Sequence, residues 1–445
     1  MTAPLHIRDE LTLSKGKILT KHVRFIDLFA GIGGTRIGFE QACFDLNIQS
    51  SCVFSSEIKQ HAIKAYQANF KDAHSATGDI TKVDYSSIPN FDYLLAGFPC
   101  QPFSSAGSRK GFLDERGNLF FNVLAVLKEK KPLGFLLENV EGLVNHNSGN
   151  TLKIMLSSLE NLGYKVSWKL IDSSKHGVSQ RRIRVYIVGH LNHLPNLDQL
   201  KESYVNTASF IDESEAFSPT SFSQLLTKKF KQHELYGKSI KDKRGGGNNI
   251  HSWDIELKGS VSKNQAALLS DILKKRRYKK WAALKGIDWM DGMPLTIEEI
   301  KTFKDYCGIE KDLEDLTAKG YLKFEYPKKR IIENSVSKRV YKTDSQKGYN
   351  IVAGKLSFPF THIINPQDLC PTLVATEAGR VAVSTRYGVR PISIKEGLAF
   401  SGFPVTYNLS MLDYKEAYDL IGNTVMPPVI KLVSTRLLQS TGDTF

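Results

Sequence analysis

The sequence predicts an α/β protein with a doubly wound, mostly parallel sheet and a smaller domain inserted before the C-terminal end. From about residue 23 to residue 189, short apolar segments alternate with amphipathic stretches, and this alternation is typical of βαβ units. After His190 the alternation stops and the chain becomes rich in Lys, Asn, Ser and Gly. A helical pattern returns within Tyr414–Leu438, which indicates that the chain comes back to the first domain.

The first domain is predicted to contain six strands and several helices. The strands are expected at Val23–Leu28, Ser51–Ser55, Tyr93–Ala96, Gly134–Leu137, Val166–Ile171 and Arg184–Val188. Helices are expected over Ile58–Phe70 and Leu119–Lys130, which are amphipathic. We place the domain boundaries so that residues 1–191 and 396–445 form the first domain and residues 192–395 form the inserted one.

The composition favours a soluble protein with a polyanionic partner. The 445 residues include 60 Lys and Arg against 46 Asp and Glu, a formal net charge of +14, and such an excess points to nucleic acid first. The five cysteines form no C-x-x-C pair, so neither a disulfide framework nor a zinc site is indicated. The N-terminus lacks the apolar core of a signal peptide, and no apolar run approaches the ~20 residues of a membrane helix. We expect a cytoplasmic protein without a metal.

A cysteine follows the third predicted strand within Gly97-Phe98-Pro99-Cys100-Gln101-Pro102-Phe103-Ser104. The segment reads as a strand that ends abruptly and presents a thiol at its carboxyl end, the edge at which α/β sheets bind ligands. A thiol at this edge is better explained as a nucleophile than as part of the core.

The first predicted strand runs into a glycine turn, Asp27-Leu28-Phe29-Ala30-Gly31-Ile32-Gly33-Gly34. Glycines let a ligand approach the backbone, and the following helix offers free N–H groups. Glu57 lies 24 residues after Gly33, at the place where an acidic side chain accepts hydrogen bonds from ribose hydroxyls. Asp79 is a second carboxylate, either an acceptor for an adenine amino group or a simple helix cap. The turn and Glu57 indicate a cofactor that contains a nucleoside.

Three further motifs follow in order along the chain. They are Glu138-Asn139-Val140, Gln180-Arg181-Arg182-Ile183-Arg184 with Val188-Gly189, and Gly422-Asn423-Thr424-Val425-Met426-Pro427-Pro428-Val429. With the glycine turn and the cysteine segment, they make the chain resemble the DNA cytosine C5-methyltransferases of bacterial restriction–modification systems over nearly its whole length. The chain departs from the family at Ser179 and Met426, where the family often has proline, and neither is a catalytic side chain.

The resemblance implies the class I S-adenosylmethionine-dependent methyltransferase fold, with S-adenosylmethionine as the methyl donor. Within it, Glu57 would bind the ribose, Ile58 would pack on the adenine face and Asp79 would meet the adenine N6. The glycine turn would shape the methionine pocket, and the last motif would close it. The residues assigned to the cofactor in this way are Phe29, Gly31, Gly33, Glu57, Ile58, Asp79, Leu119, Asn423 and Val425.

The resemblance also implies the catalytic residues. Cys100 would add as a thiolate to C6 of cytosine, which makes C5 able to attack a methyl group. Glu138, protonated or sharing a proton, would meet N3 and the exocyclic amine, and Asn139 would hold the backbone around it. Arg184 would donate to the O2 carbonyl of the base. Arg182 would orient Glu138 or contact a phosphate.

The implied partner is double-stranded DNA, from which the target cytosine must be flipped out. The inserted domain takes the place of the target-recognition domain, and residues 104–117 are expected to close over DNA. Within the inserted domain, the Arg244–Asn249 loop is a candidate for base contacts and the Lys274–Lys280 cluster for phosphate contacts. The predicted DNA-binding residues are Gln101, Ser104, Arg109, Gln180, Arg244, Arg276 and Arg277. Gln180 is also expected to position the loop next to the flipped nucleotide.

The leading hypothesis is a site-specific DNA methyltransferase that acts as a monomer and protects host DNA from a cognate restriction endonuclease, a genetic rather than a physical partner. A tRNA cytosine-5 methyltransferase of the same fold is the alternative, but such relatives usually lack a long insert. A non-catalytic DNA-binding relative would not need Cys100, Glu138, Arg182 and Arg184. A dinucleotide oxidoreductase would explain the glycine turn but not the cysteine segment or the last motif.

Overall fold

The computed structural model describes residues 21–72, 74, 76, 78–99, 119–215, 217–243, 245–288, 292–333, 336–352 and 358–439. The described chain forms two compact units. The first draws on Met1–Asp212, Pro366–Gly379 and Ile392–Phe445, and the second on Glu213–Asn365 and Arg380–Pro391. The boundaries that we predicted for the functional domains, at 191/192 and 395/396, do not coincide with these cuts and stay a prediction.

The helices and strands are numbered in chain order. The strands are β1 (Lys21–Leu28), β2 (Ile48–Ser56), β3 (Tyr93–Gly97), β4 (Gly134–Val140), β5 (Lys165–Asp172), β6 (Ile183–His190), β7 (Ser239–Ile240), β8 (Asn249–Ile250), β9 (Leu322–Glu325), β10 (Lys328–Glu333), β11 (Val336–Tyr341), β12 (Gly348–Ile351), β13 (His362–Ile363), β14 (Val381–Thr385) and β15 (Gly388–Pro391). The α-helices are α1 (Gly34–Asp45), α2 (Gln60–Asn69), α3 (Leu119–Lys130), α4 (Gly142–Asn145), α5 (Asn150–Glu160), α6 (Ser221–Lys229), α7 (Lys263–Lys275), α8 (Lys279–Leu284), α9 (Ile297–Lys301), α10 (Ile309–Ala318), α11 (Ile394–Phe400), α12 (Tyr414–Asn423) and α13 (Pro427–Leu438).

A six-stranded sheet in the order β2-β1-β3-β4-β6-β5 forms the centre of the first unit. Strands β1 to β4 are parallel to one another, whereas β6 is antiparallel to both of its neighbours, β4 and β5. All six predicted strands are confirmed, and so is the α/β class with a mostly parallel sheet. The carboxyl ends of the parallel strands meet at one edge, which places the glycine turn, the end of β3 and Glu138 next to one another.

Helices cover both faces of this sheet. Because successive strand residues point to opposite sides, each strand contributes side chains to both layers. Ile26 packs with residues of α3 and α5 in one core cluster, and the adjacent Phe25 packs with residues of α1 and α13 in another. Each large apolar side chain buried in this way stabilises the fold by about 1.5–3 kcal/mol.

The C-terminal helix α13 returns the chain to this core, as predicted. Its first turn contains Pro427 and Pro428, a position at which proline costs no backbone hydrogen bond. Gly38 of α1 allows the close approach, since a Cβ there would lie 2.5 Å from Cβ of Ile430. The last sequence motif is thereby fixed against the glycine turn.

The second unit contains a five-stranded sheet in the order β15-β14-β13-β7-β8 and two separate two-stranded sheets, β9–β12 and β10–β11. Its helix α7 begins with a capping box between Ser262 and Gln265 and buries Leu269 and Ile272 against Trp281. The Lys274–Lys280 cluster is therefore the junction of α7 and α8, with an apolar side turned inward. Across the described residues of both units, no helix is long and apolar enough to cross a membrane.

Candidate active site

The glycine turn after β1 has an unusual backbone. Phe29, Gly31 and Gly33 all have positive φ, at 55°, 53° and 74°. This region is unfavourable for a residue with a Cβ, so Phe29 is held in a strained conformation of the kind that clusters at functional sites. At Gly33 a Cβ would lie 2.4 Å from Cε2 of Phe70, whereas at Gly31 it would meet nothing within 4 Å. Gly31 is therefore the glycine that leaves open space beside the turn.

Glu57, directly after β2, fixes the turn to the next helix. Its Oε2 accepts a hydrogen bond from the Gly31 amide at 2.8 Å, and its Oε1 accepts from the amides of Ile58 and Lys59, each at 2.9 Å. Each carboxylate oxygen can accept more than one hydrogen bond, so these contacts do not exhaust the side chain. Glu57 thus organises the backbone on both sides of the position predicted for a ribose.

Asp79 caps a short 3₁₀ helix, Ile80–Lys82. Its Oδ1 accepts from the backbone amide of Thr81 at 3.0 Å and from Thr81 Oγ1 at 2.7 Å. These two hydrogen bonds lower the pKa of the carboxyl. Asp79 also lines the cavity described below, so its role as a cap and its predicted role as an acceptor for adenine do not exclude each other.

Glu138 and Arg184 form a buried ion pair at the end of β4. Arg184 Nε lies 3.2 Å from Glu138 Oε1, and the side chains are 17% and 9% exposed. Burial raises the pKa of Glu138, and the charges of Arg184 and Arg182 oppose that rise. A carboxyl in this setting can hold a proton and give it to a neighbouring base.

Asn139 supports the segment that leads to the predicted nucleophile. Its Nδ2 donates to the Phe98 carbonyl at 3.0 Å, and its Oδ1 accepts from the Val140 amide at 2.8 Å. Gly97 pairs in register with Glu138, and a Cβ at Gly97 would lie 3.6 Å from Glu138 Oε2. The end of β3 is thereby held beside the Glu138 carboxyl.

Arg182 and Gln180 are buried and hold two distant segments of the first unit. Arg182 Nη1 donates to the carbonyls of Leu373 and Gly422 at 3.1 and 3.2 Å. Burial lowers the pKa of Arg182 to about 10, and the nearby Arg184 charge adds to this. Gln180 Oε1 accepts from the Leu373 amide at 3.1 Å. Both side chains position backbone, and Arg182 meets Glu138 through its charge rather than through a hydrogen bond. Because Gln180 is fully buried, the structure corrects its assignment as a DNA-binding residue.

One cavity of about 840 Å³ joins these parts. The predicted site residues on its wall are Phe29, Gly31, Glu57, Ile58, Asp79, Leu119, Glu138, Arg182, Arg184, Asn423 and Val425. Gly33 is not among its lining residues, because this glycine packs against Phe70. The predicted residues Cys100, Gln101, Ser104, Arg109 and Arg244 lie outside the described residues. The cavity reaches Pro99, the residue before Cys100.

The structure also brings together residues that the sequence did not single out. Asp419 of α12 accepts from Lys59 Nζ at 2.7 Å and lies 3.0 Å from His61 Nε2, and Asn423 Nδ2 donates to it at 3.1 Å. This cluster ties α12 to α2 beside the cavity. Lys59 and His61 lie 360 and 358 positions from Asp419 in the chain, and no local pattern could have paired them with it.

Among the described residues, Cys52, Asp72 and His74 form the group whose spacing would allow a metal ion. Arg36, however, donates from Nη2 to Asp72 Oδ1 at 2.8 Å and from Nη1 to Asp72 Oδ2. A guanidinium that already neutralises the carboxylate disfavours a cation at the same place. We assign no metal to this group.

In the second unit, Arg276 does not lie where a phosphate contact requires it. It is 3% exposed and donates to Asn350 Oδ1 at 2.7 Å, because the last turn of α7 directs it inward. This corrects its assignment as a DNA-binding residue that contacts phosphate. Arg277 is partly exposed and keeps the predicted role as a proposal.

Comparisons with known proteins agree with this architecture. A family model described as C-5 cytosine-specific DNA methylase matches residues 23–439. The type II methyltransferase M.NlaIV of Neisseria lactamica is 48% identical over 94% of the chain and 100% of its own length. The type II methyltransferase M.NgoBV of Neisseria gonorrhoeae is 47% identical with the same coverage. M.BanI of Aneurinibacillus aneurinilyticus is 37% identical over 94% of the chain and 96% of its own length.

Proposed function

Because the chain belongs to the family of C-5 cytosine-specific DNA methylases, we propose that its cavity binds S-adenosylmethionine at one end and a flipped-out cytosine at the other. The protein is a DNA (cytosine-5)-methyltransferase of the type II restriction–modification kind. The family reaction proceeds through base flipping and a covalent cysteine adduct at C6. The roles of individual residues of this chain in binding the cofactor and in catalysis are assigned below.

The observation that carries the proposal is the single cavity of about 840 Å³. Residues from five separate sequence motifs line this cavity, and they come from different elements of the first unit. The residues assigned to the cofactor and those assigned to the base therefore line the same cavity. Methyl transfer requires the two reactants to be held side by side, since positioning supplies much of the rate enhancement. A shared cavity gives that arrangement, which two separate pockets would not.

The chemistry of one end of the cavity fits S-adenosylmethionine. Ile58 is 66% exposed yet lies on the cavity wall, as expected of an apolar side chain that packs on an adenine ring. Glu57 offers lone pairs to a ribose, Asp79 offers them to an adenine amino group, and Gly31 leaves room for close approach. Bound there, S-adenosylmethionine supplies an electrophilic methyl group on sulfur.

At the other end, the residues around Glu138 fit a cytosine. We assign Cys100 as the nucleophile, whose thiolate electron pair forms the bond to C6. Negative charge then develops at N3, and Glu138 is placed to give its proton there. Arg184, which already contacts Glu138, is assigned to the O2 carbonyl. Arg182 is assigned as a positioning residue, because its hydrogen bonds run to the Leu373 and Gly422 carbonyls.

The proposal extends to the biology of the protein. DNA is the substrate, and we propose that methylation protects host DNA from a cognate endonuclease. One cytosine is modified at a time, so we propose a monomer. The cytoplasm is the proposed compartment, because bacterial DNA lies there. The predicted contacts of Gln101, Ser104, Arg109 and Arg244 with DNA remain part of the proposal.

Bisulfite sequencing of plasmid DNA from a host without cytosine methylation tests the function. Cells would express the wild type, Cys100→Ala or Cys307→Ala. Cys307 is an exposed cysteine of the second unit and serves as the matched control. We expect methylation at one short motif with the wild type and the control, and none with Cys100→Ala.

Purified Cys100→Ala should still bind S-adenosylmethionine by calorimetry, because Cys100 is assigned to the base alone. Substantial methylation by this variant would remove Cys100 as the nucleophile. Soluble wild-type protein that binds the cofactor but methylates no plasmid cytosine would favour the tRNA enzyme or the non-catalytic relative.

A further inference from the structure

The second unit carries a two-stranded antiparallel ribbon, β10–β11, that pairs with no other strand among the described residues. The pairs run from Lys328 with Tyr341 at the base to Glu333 with Val336 at the tip. The Lys342 amide donates to the Pro327 carbonyl at 2.8 Å and closes the base. Six residues per strand give a length of about 20 Å at ~3.4 Å per residue.

One face of the ribbon is basic and exposed. Residues directly opposite each other in an antiparallel ladder project to the same side. The pairs Lys328 with Tyr341, Arg330 with Arg339 and Ile332 with Ser337 therefore share a face. Both arginines are exposed, and Ile332 is 75% exposed near the tip. This set is called the arginine face below.

The two arginines of this face repel each other. Like charges directly opposite across a ladder are destabilising, and neither Arg330 nor Arg339 forms an ion pair with a carboxylate in the described part of the chain. On the other face, Lys338 lies 3.3 Å from Glu333 Oε2. The ribbon thus neutralises a cation on one side and leaves two guanidinium groups together on the other. Such a pair is stabilised when an anion binds between its members.

We propose that the arginine face binds the phosphate backbone of duplex DNA, with the ribbon lying along a groove. The inference rests on the proposed function, which makes DNA the substrate. The major groove admits a two-stranded ribbon, and guanidinium groups bind phosphate oxygens in a bidentate manner. Ile332 and Ser337, beside the arginines, face the same groove. The occupant is DNA because the paired cations complement phosphate charge, and the exposed apolar side chains of the face, Ile332 and Tyr341, lie at its two ends on either side of the arginines and form no continuous patch for a protein partner.

The test compares two double variants that remove the same charge from opposite faces of the ribbon. Arg330→Gln with Arg339→Gln changes the arginine face, and Lys329→Gln with Lys338→Gln is the control. Binding of a fluorescent 25–30 base-pair duplex, a length of about three helical turns, is measured by anisotropy between 0.05 and 0.5 M NaCl, a range of about one decade in salt. Duplexes with and without the methylated motif are used.

Each phosphate contact contributes about 0.9 to the slope of log affinity against log salt. The arginine variant should therefore lose about 1.8 from the slope, and its affinity should be about 30-fold weaker at 0.15 M if the affinities converge at 1 M. The control should stay close to the wild type. The melting temperature of the arginine variant should not fall, because a repulsive pair has been removed; a purely structural role would lower it.

Equal slopes for the arginine variant and the wild type, or equal losses in both double variants, would overturn the proposal. The wild type must first methylate the same duplex in a separate assay. Failure of that assay would count against the proposed function, whereas an active wild type with an unaffected arginine variant would count against the ribbon alone.

Discussion

Asp27 of β1 makes the stability of the first unit depend on pH. Its side chain is fully buried, and its Oδ1 accepts from Thr35 Oγ1 at 2.7 Å. Its Oδ2 is buried without a hydrogen-bond partner among the described residues. Burial raises the pKa of Asp27 from 3.8 to about 7, so the folded protein holds a proton that the unfolded chain releases. Replacing Asp27 with Asn removes this titration and keeps the shape of the side chain.

The sign follows from proton linkage. Because the pKa is higher in the folded state, folding is favoured at low pH, and this stability is lost as the pH rises from about 4 through about 7. With pKa values of 3.8 unfolded and about 7 folded, the loss between pH 5 and pH 8 is about 2.5 kcal/mol. Asp27→Asn does not suffer this loss. The free energy of unfolding of the variant minus that of the wild type should therefore rise by about 2.5 kcal/mol over this range.

Cys43 provides a local probe for the measurement, because its thiol is buried in the first unit. Unfolding in urea exposes this thiol to a thiol reagent, and mass spectrometry measures the fraction of Cys43 that is labelled. The measurement is made at pH 5, 6, 7 and 8, and the fully unfolded chain is the reference at each pH. Asp198→Asn is the matched control, since its side chain is 82% exposed. The control should follow the wild type at every pH. Parallel curves for Asp27→Asn and the wild type would refute the reasoning.

Three further results are expected. Glu57→Ala should weaken S-adenosylmethionine binding in calorimetry with little change in DNA affinity, because the ribose loses its proposed acceptor and the Gly31 amide loses the carboxylate that it donates to; unchanged cofactor affinity would refute the ribose assignment. Arg182→Met should lower the free energy of unfolding by about 2 kcal/mol or more, since two buried carbonyls lose their donor; a urea curve equal to that of the wild type would contradict this. Single-turnover methyl transfer should decline as the pH rises through the raised pKa of Glu138, because only the protonated form gives its proton. In Arg184→Gln, which removes a charge that lowers this pKa, the decline should move to higher pH, and a decline that stays in place would argue against Glu138 as the proton donor.

The sequence determined the local structure of the first unit. Strand positions could be predicted because apolar segments of strand length alternate with helical spacing, and these periodicities are properties of short segments. The same holds for the glycine turn, where the residue types at Gly31 and Gly33 reflect the positive φ that the backbone needs. The motifs, in their order along the chain, then indicated the reaction class through their resemblance to a known family.

The tertiary structure decided which distant groups meet. Arg182 reaches the carbonyls of Leu373 and Gly422, 191 and 240 positions away, and such pairings depend on packing that no local pattern encodes. For the same reason, the sequence did not show which residues of a run of basic side chains are exposed. Arg276 looks like its neighbour Arg277 in the sequence but is buried, whereas the opposed arginines of β10 and β11 share a face only because of the strand register. The periodicity of the sequence specifies each helix and strand, whereas tertiary packing specifies which helices, strands and side chains contact one another.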